Sequence, residues 1–353
     1  MSKIAKCLIP ALAVLFCAGC AGNAGSRGEY AGPSRGEPAW VSDVDQVYSR
    51  LRYAAAVGYG PGRAIAEKEA FAALVSVFGQ TVRVDRQSMV GYQEALQQNA
   101  VSSYIRNTEV NNAIQTSAEL DTLIGAEIRD YWYDGRDTHY AVAVMEKSRA
   151  ASLYGELVRA NREIIETLTA MDGEEKYSLN GYTRYQLAAR IAAGNQVFAN
   201  ILSVLGGPSS REPAEAEDFR QEAQHIVQQI PIDIRVENDR TGRIKGAFAK
   251  LISGRGFQSG GDGSRYVLDG TISFTPVELP GQENKYVRYV LEADLLDRRT
   301  GAVLLPYTVS GREGHLTTAE AENRALGIIE KEIAAAWGAA FSAYLDSLSS
   351  GER

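Results

Sequence analysis

All three cysteines, Cys7, Cys17 and Cys20, fall at the start of a chain of 353 residues, and none follows. No intramolecular disulfide, thiol nucleophile or cysteine-rich metal site is therefore open to the part beyond Cys20. That part has to hold itself together by buried apolar surface. The hydrophobic share, 45%, is ordinary for a globular chain and excludes wholesale disorder. Length sets a prior of two folded domains.

The segment that carries the cysteines has the order of a secretory signal. Met1-Ser2-Lys3-Ile4-Ala5-Lys6 brings two positive charges and no acid, and an apolar run from Cys7 to Ala18 follows, interrupted by Pro10. Small residues then precede Cys20. The run is shorter than the roughly 20 residues of a membrane-spanning helix. Ala18-Gly19-Cys20 resembles a bacterial lipobox, where cleavage precedes the cysteine and a diacylglycerol joins its sulfur. Cys17 stands where that motif usually has Leu, and ordinary signal cleavage is the alternative. The resulting expectation is a lipoprotein signal peptide over residues 1–19, then a lipidated, palmitate-bearing Cys20 and a flexible Gly-, Ser- and Pro-containing tether over 20–37. Loss of Lys3 and Lys6 takes the net charge from −7 to −9. So acidic a chain is not built for nucleic acid. Nor does it dock electrostatically on anionic lipid, so membrane attachment is expected through the anchor alone.

Periodicity organises the rest. Pro38-Ala39-Trp40 opens the folded part, and residues 52–60 have strand character and end in glycines. Ile65, Ala66, Ala70, Phe71, Leu74, Val75 and Phe78 recur at helical spacing. Residues 81–92 alternate loosely and predict a strand; 99–122 are polar without a usable period. Aromatic and β-branched residues over 123–133 and 138–145 flank Asp134-Gly135-Arg136-Asp137, a hairpin signal. Apolar stripes predict helices over 148–171 and 182–205, the second stopped by Gly206-Gly207-Pro208, and a shorter one over 215–229. Strands are predicted at 232–236, 266–274, 287–295 and 303–309, with a helix over 243–253. A capping box at Thr317 and Glu320 precedes a final helix bearing Ile328, Ile329, Ile333, Trp337, Phe341, Tyr344 and Leu348 on one side. The fold class is α+β: N-terminal and C-terminal sheet-plus-helix domains, 38–150 and 230–348, joined by a helical connector over 151–229.

No catalytic constellation emerges. Gly58-Tyr59-Gly60-Pro61-Gly62 lies between a strand and a helix, where glycines can cradle phosphate. It lacks the features of a P-loop or a dinucleotide fingerprint, and is expected to be a turn that lets backbones pack closely. Asp121, Asp130, Asp134 and Asp137 surround a hairpin, where Asp is a turn residue before it is a metal ligand. His139, His225 and His315 fall in no metal spacing and accompany no nucleophile elbow. No cofactor, metal or enzymatic activity is expected. Trp132, Tyr133 and Tyr140 could bind a peptide or glycan, although such residues more often pair across strands.

Val57-Gly58-Tyr59-Gly60, the run Ala66 to Leu74, Phe78-Gly79-Gln80, Val82, Gly125-Ala126-Glu127-Ile128, Asp130, Trp132 and Tyr140-Ala141-Val142-Ala143-Val144-Met145 together resemble the LPP-twenty type of bacterial lipoprotein. The stretch from Pro38-Ala39-Trp40 to about residue 150 is also similar to the N-terminal domain of a flagellar assembly protein. The resemblance implies a non-enzymatic component of the cell envelope, in the outer membrane on its periplasmic or surface face, acting by contact with a protein partner in envelope or flagellar assembly. It supplies no catalytic residues. Residues 230–348, through Asp269-Gly270-Thr271-Ile272 and the terminal helix, are similar in element order to periplasmic α/β domains of secretion-associated and synthase-activating lipoproteins, an analogy of fold. The alternative function is a periplasmic peptide- or glycan-binding module that uses the aromatic hairpin.

Overall fold

The computed structural model describes residues 36–78, 86–97, 123–207 and 215–349. The signal segment, Cys20, residues up to 35, Gly79-Gln80, Val82 and Asp121 lie outside them. The described elements form an α+β structure with two sheets.

The first sheet has the order β1-β3-β2, all antiparallel: β1 (Tyr53–Gly60), β2 (Ala126–Tyr133) and β3 (His139–Glu146). Its two faces follow from the pleat. Ala54, Ala56, Ala141, Ala143 and Met145 point to one core, whereas Val142 and Val144 point to another. The first face is covered by α3 (Arg63–Phe78), whose buried Ala66, Ala70, Phe71, Leu74 and Phe78 repeat at three and four residues. The opposite face is covered by two short turns, α1 (Ala39–Ser42) and α2 (Val44–Val47). Trp40 is buried there, and its indole N–H donates to Asp130 Oδ2 at 3.0 Å.

Residues 86–97 form a helix, α4 (Arg86–Gln97), and correct the strand expected over 81–92; residues 81–85 are outside the described set. Met89, Tyr92 and Ala95 all pack into the first core, an interval of three that a strand cannot present on one face. Two long helices complete this core, α5 (Lys147–Thr169) and α7 (Leu179–Val204), separated by the short turn α6 (Gly173–Lys176). A polar chain ties the three helices together inside it. The Tyr92 hydroxyl donates to Asn161 Oδ1 at 3.1 Å, and Asn161 Nδ2 donates to Asn195 Oδ1 at 3.2 Å, all three residues buried. The glycine at 194 makes room for the ring, since a Cβ there would lie 2.6 Å from Tyr92.

The second sheet has the order β5-β4-β6-β7-β8. Strand β4 (Pro231–Glu237) runs parallel to β5 (Gln258–Ser259) and to β6 (Tyr266–Val277), while β6, β7 (Lys285–Asp297) and β8 (Ala302–His315) form an antiparallel meander. Alternation is clean: Leu268, Ile272, Leu291, Ala293 and Leu295 are buried, while Asp269, Thr271, Ser273 and Glu292 face solvent. The buried face takes α9 (Arg243–Gly254), α10 (Thr318–Glu332), one π-helical turn (Ile333–Trp337) and α11 (Gly338–Ser349). The Thr317 side chain caps α10 by accepting from Glu320 N. Helix α7, about 39 Å long at 1.5 Å per residue, serves both cores: Leu179 and Tyr182 belong to the second, and Leu187 through Leu202 to the first. Helix α8 (Ala216–Gln228) is shared in the same way, with Ala216 in the first core and Ala223, Ile226 and Val227 in the second.

Candidate interaction site

The four sheet edges differ in how they are guarded. Natural edge strands are blunted by shortness, bulges, charges or proline, because unpaired N–H and C=O groups invite another strand. Strand β5 is two residues long. Strand β2 is bulged between Ile128 and Asp130 and carries Glu127 and Arg129. Strand β8 has Pro306 at its middle and Arg312 and Glu313 near its end. Strand β1 reads Tyr-Ala-Ala-Ala-Val-Gly-Tyr-Gly, with no charge, proline or bulge, and pairs among the described residues with β3 alone.

At the C-terminal end of β1, whose second edge has no partner strand among the described residues, lies a groove of about 640 Å³. Its floor and walls are Val57 to Pro61 from the strand end and Ile65, Glu69 and Ala73 from α3. These three helix positions are four apart, and the same stripe continues to Val77. Tyr59 is 67% exposed, Ile65 48% and Val77 60%. Glu69 and Asp137, the latter from the β2–β3 turn, put carboxylates at the groove without an ion pair among the described residues. The neighbouring Arg63 is held by Glu67 at 2.7 Å.

The glycine-rich turn is what brings strand and helix so close. A Cβ on Gly58 would lie 2.0 Å from Ala70 N and 2.5 Å from Ala66 O. The backbone of α3 therefore rests directly on β1, which is the close-packing role anticipated for this turn.

The aromatic residues of the hairpin do not form one patch. Trp132 and Tyr140 are register partners on the Trp40 face, ring centroids 5.2 Å apart, and Tyr140 continues to Tyr59 at 6.1 Å. Tyr133 lies on the other face, stacked on His139 at 4.5 Å, with Tyr131 also bonded to His139 Nδ1. The aspartates act locally. Asp134 Oδ1 accepts from the N–H groups of Arg136 (2.8 Å) and Thr138 (3.1 Å), which hold its carboxyl below the usual carboxylate range. Asp130 accepts from Trp40 and from Tyr131 N. The three histidines stand in β3, α8 and β8 and are not brought together. Among the described residues no group of three or more His, Cys, Asp or Glu is placed to share a metal ion. No described helix is long and apolar enough to cross a membrane.

No family model matches the chain, and no curated protein matches it. Among solved structures the chain is similar to a secreted protein of the human pathogen Helicobacter pylori, at 13% identity over 79% of this chain and 97% of that one, with a TM-score of 0.40. It is also similar to a minor lipoprotein from Acinetobacter baumannii, at 15% identity over 33% of this chain and 91% of that one, TM-score 0.23. A lipoprotein from Neisseria meningitidis is similar at 14% identity over 30% of this chain and 99% of that one, TM-score 0.20. Likenesses at this level assign this chain neither a family nor a role.

Proposed function

We propose that the chain is a cell-envelope lipoprotein, held at the outer membrane by a diacylglycerol on Cys20, that works by protein–protein contact and not by catalysis. The contact is strand addition: a partner's extended segment pairs with the free edge of β1 and lays alternate side chains into the groove against α3. The observation that carries this reading is that, among the described strands, β1 is the one unguarded edge of four, lying beside the exposed Ile65 and Val77 of α3. Glu69 and Asp137 favour a partner segment that pairs apolar residues with a lysine or arginine. Attachment at Cys20 is supported by Ala18-Gly19-Cys20 and the short apolar run before it.

Two measurements test the two halves of the proposal. Mass spectrometry of the mature N-terminus is expected to find Cys20 as the first residue with a thioether-linked lipid; cleavage elsewhere, or an unmodified Cys20, removes the anchor. For the contact, crosslinking in intact envelopes followed by solubilisation and pull-down is expected to recover a stoichiometric protein partner. Tyr59→Lys places an edge charge on a side chain that is already mostly exposed. It should abolish recovery while leaving the circular dichroism unchanged. Equal recovery with Tyr59→Lys would take the contact away from this edge.

A further inference from the structure

A second site lies between the two cores, remote from the β1 edge and independent of the reading above. A cleft of about 910 Å³ opens among α4, α7, α8 and the C-terminal end of α9. The chain as a whole is acidic, with 44 Asp and Glu against 37 Lys and Arg. Yet the described residues that line this cleft include Arg190, Arg220 and Arg255 and not one acid.

The state of each arginine matters more than the count. Arg190 is half-buried on α7 and has no ion pair or hydrogen-bond partner among the described residues. Arg255 is half-buried too, but its partners are neutral. It donates to Gly338 O at 2.8 Å and to Ser342 Oγ, and its guanidinium lies 5.5 Å over the Phe341 ring. Its charge is thus positioned but not cancelled. Arg220 is exposed and is paired with Glu217 at 3.1 Å. The buried Tyr182 lines the same cleft, and its hydroxyl accepts from Gln186 Nε2 at 2.5 Å. Burial pushes the Tyr182 hydroxyl above its ordinary range, and the charges of Arg255 and Arg190 act against that rise.

Among the described residues these two half-buried arginines face no carboxylate, an unsatisfied charge in a chain with acids to spare. A guanidinium fork matches the planar or tetrahedral oxygens of an oxyanion. Side-chain amides of Gln186 and Gln224 supply neutral donors and acceptors beside it. The volume falls in the range of small-molecule sites, roughly 300–1,000 Å³. We infer that this cleft binds a small polar ligand bearing an oxyanion, a carboxylate or a phosphate, with the anion seated between Arg190 and Arg255.

Calorimetric titration of the folded mature chain with citrate and, separately, with inorganic phosphate tests the assignment. At least one probe should bind saturably at low ionic strength and weaken as salt rises. Whichever binds identifies carboxylate or phosphate as the preferred group. Arg190→Gln should weaken that binding by about tenfold or more. Gln224→Glu, a change at an exposed position that puts an acid into the cleft, should weaken it as well with the fold intact by circular dichroism. Arg312→Gln, on β8 away from the cleft, should leave it unchanged. Absence of saturable binding for both probes, or equal binding by wild type, Arg190→Gln and Gln224→Glu, would overturn the inference and leave the β1 contact untouched.

Discussion

Replacing Phe341 by alanine is expected to cost on the order of 3–5 kcal/mol, the usual toll for truncating a fully buried aromatic. The position concentrates packing. Phe341 stacks on Trp337 with centroids 5.0 Å apart and an interplanar angle of 16°, and Trp337 meets Phe248 of α9 edge-on at 5.1 Å. On its other side Phe341 lies 5.8 Å from Phe257, which in turn meets Tyr182 of α7 at 5.4 Å. One ring thus links the helical cover of the second sheet to the helix shared between the cores. Trp337→Ala removes a larger side chain, but the indole N–H of Trp337 is buried with no hydrogen-bond partner among the described residues. Its removal relieves an unsatisfied donor and offsets part of the loss. Phe341→Ala is therefore the cleaner substitution.

Limited proteolysis after Phe341→Ala reads where the damage goes. All buried members of the first core except Ala216 fall within residues 54–205, so a fragment near 38–205 is expected to survive while the C-terminal half becomes sensitive. Loss of the whole chain in one step would mean that α7 couples the cores into a single cooperative unit. If neither half changed, the burial of the terminal stripe would be refuted.

The terminal helix also shows where sequence reading stops. Its apolar side is legible in the sequence, whereas a plain 3.6-residue period does not show the π turn. The signal was present: Ala321, Ala325, Ile329, Ile333, Trp337, Phe341 and Leu345 are all buried and all four apart. Each step of four overshoots a 3.6-residue turn by about 40°. Such a row winds off the sheet unless the helix is locally underwound, and the i→i+5 closure of Ile333–Trp337 does that. The division of the hairpin aromatics was legible in the same way, since Trp132 and Tyr133 are adjacent and a pleat sends neighbours to opposite faces. Other features carried no local signal. Tyr92, Asn161 and Asn195 meet from three helices, and Arg190 and Arg255 meet at a cleft from opposite sides of β4 in the chain. Helix α4 is held by tertiary burial of Tyr92 and Ala95, while its own composition, with Gly91 at its middle, argues weakly for any element.

Gly58→Ala is expected to destabilise the first core at the upper end of the overpacking range, about 3 kcal/mol. Local propensity argues for the opposite sign. Glycine inside a strand costs roughly 0.5–1 kcal/mol relative to alanine, so the substitution would ordinarily help. Here the added methyl meets backbone and not a flexible side chain: Ala70 N at 2.0 Å, Ala66 O at 2.5 Å and the Glu69 carbonyl carbon at 2.5 Å. No rotamer relieves these contacts. Helix α3 has to lift from β1, and it carries the buried Ala66, Ala70 and Leu74 with it. Gly155→Ala supplies the control, on a helix that packs into the same core. It lies within α5 with nothing inside 4 Å of its added Cβ, and should stabilise by up to about 1 kcal/mol through helix propensity. Urea denaturation of the two variants should therefore move the midpoint in opposite directions. Lifting α3 also widens the groove beside the strand edge, so Gly58→Ala should reduce partner recovery even where the protein remains folded. A Gly58→Ala midpoint equal to that of the wild type would show that strand and helix do not touch backbone to backbone, and the groove would lose the wall on which strand addition depends.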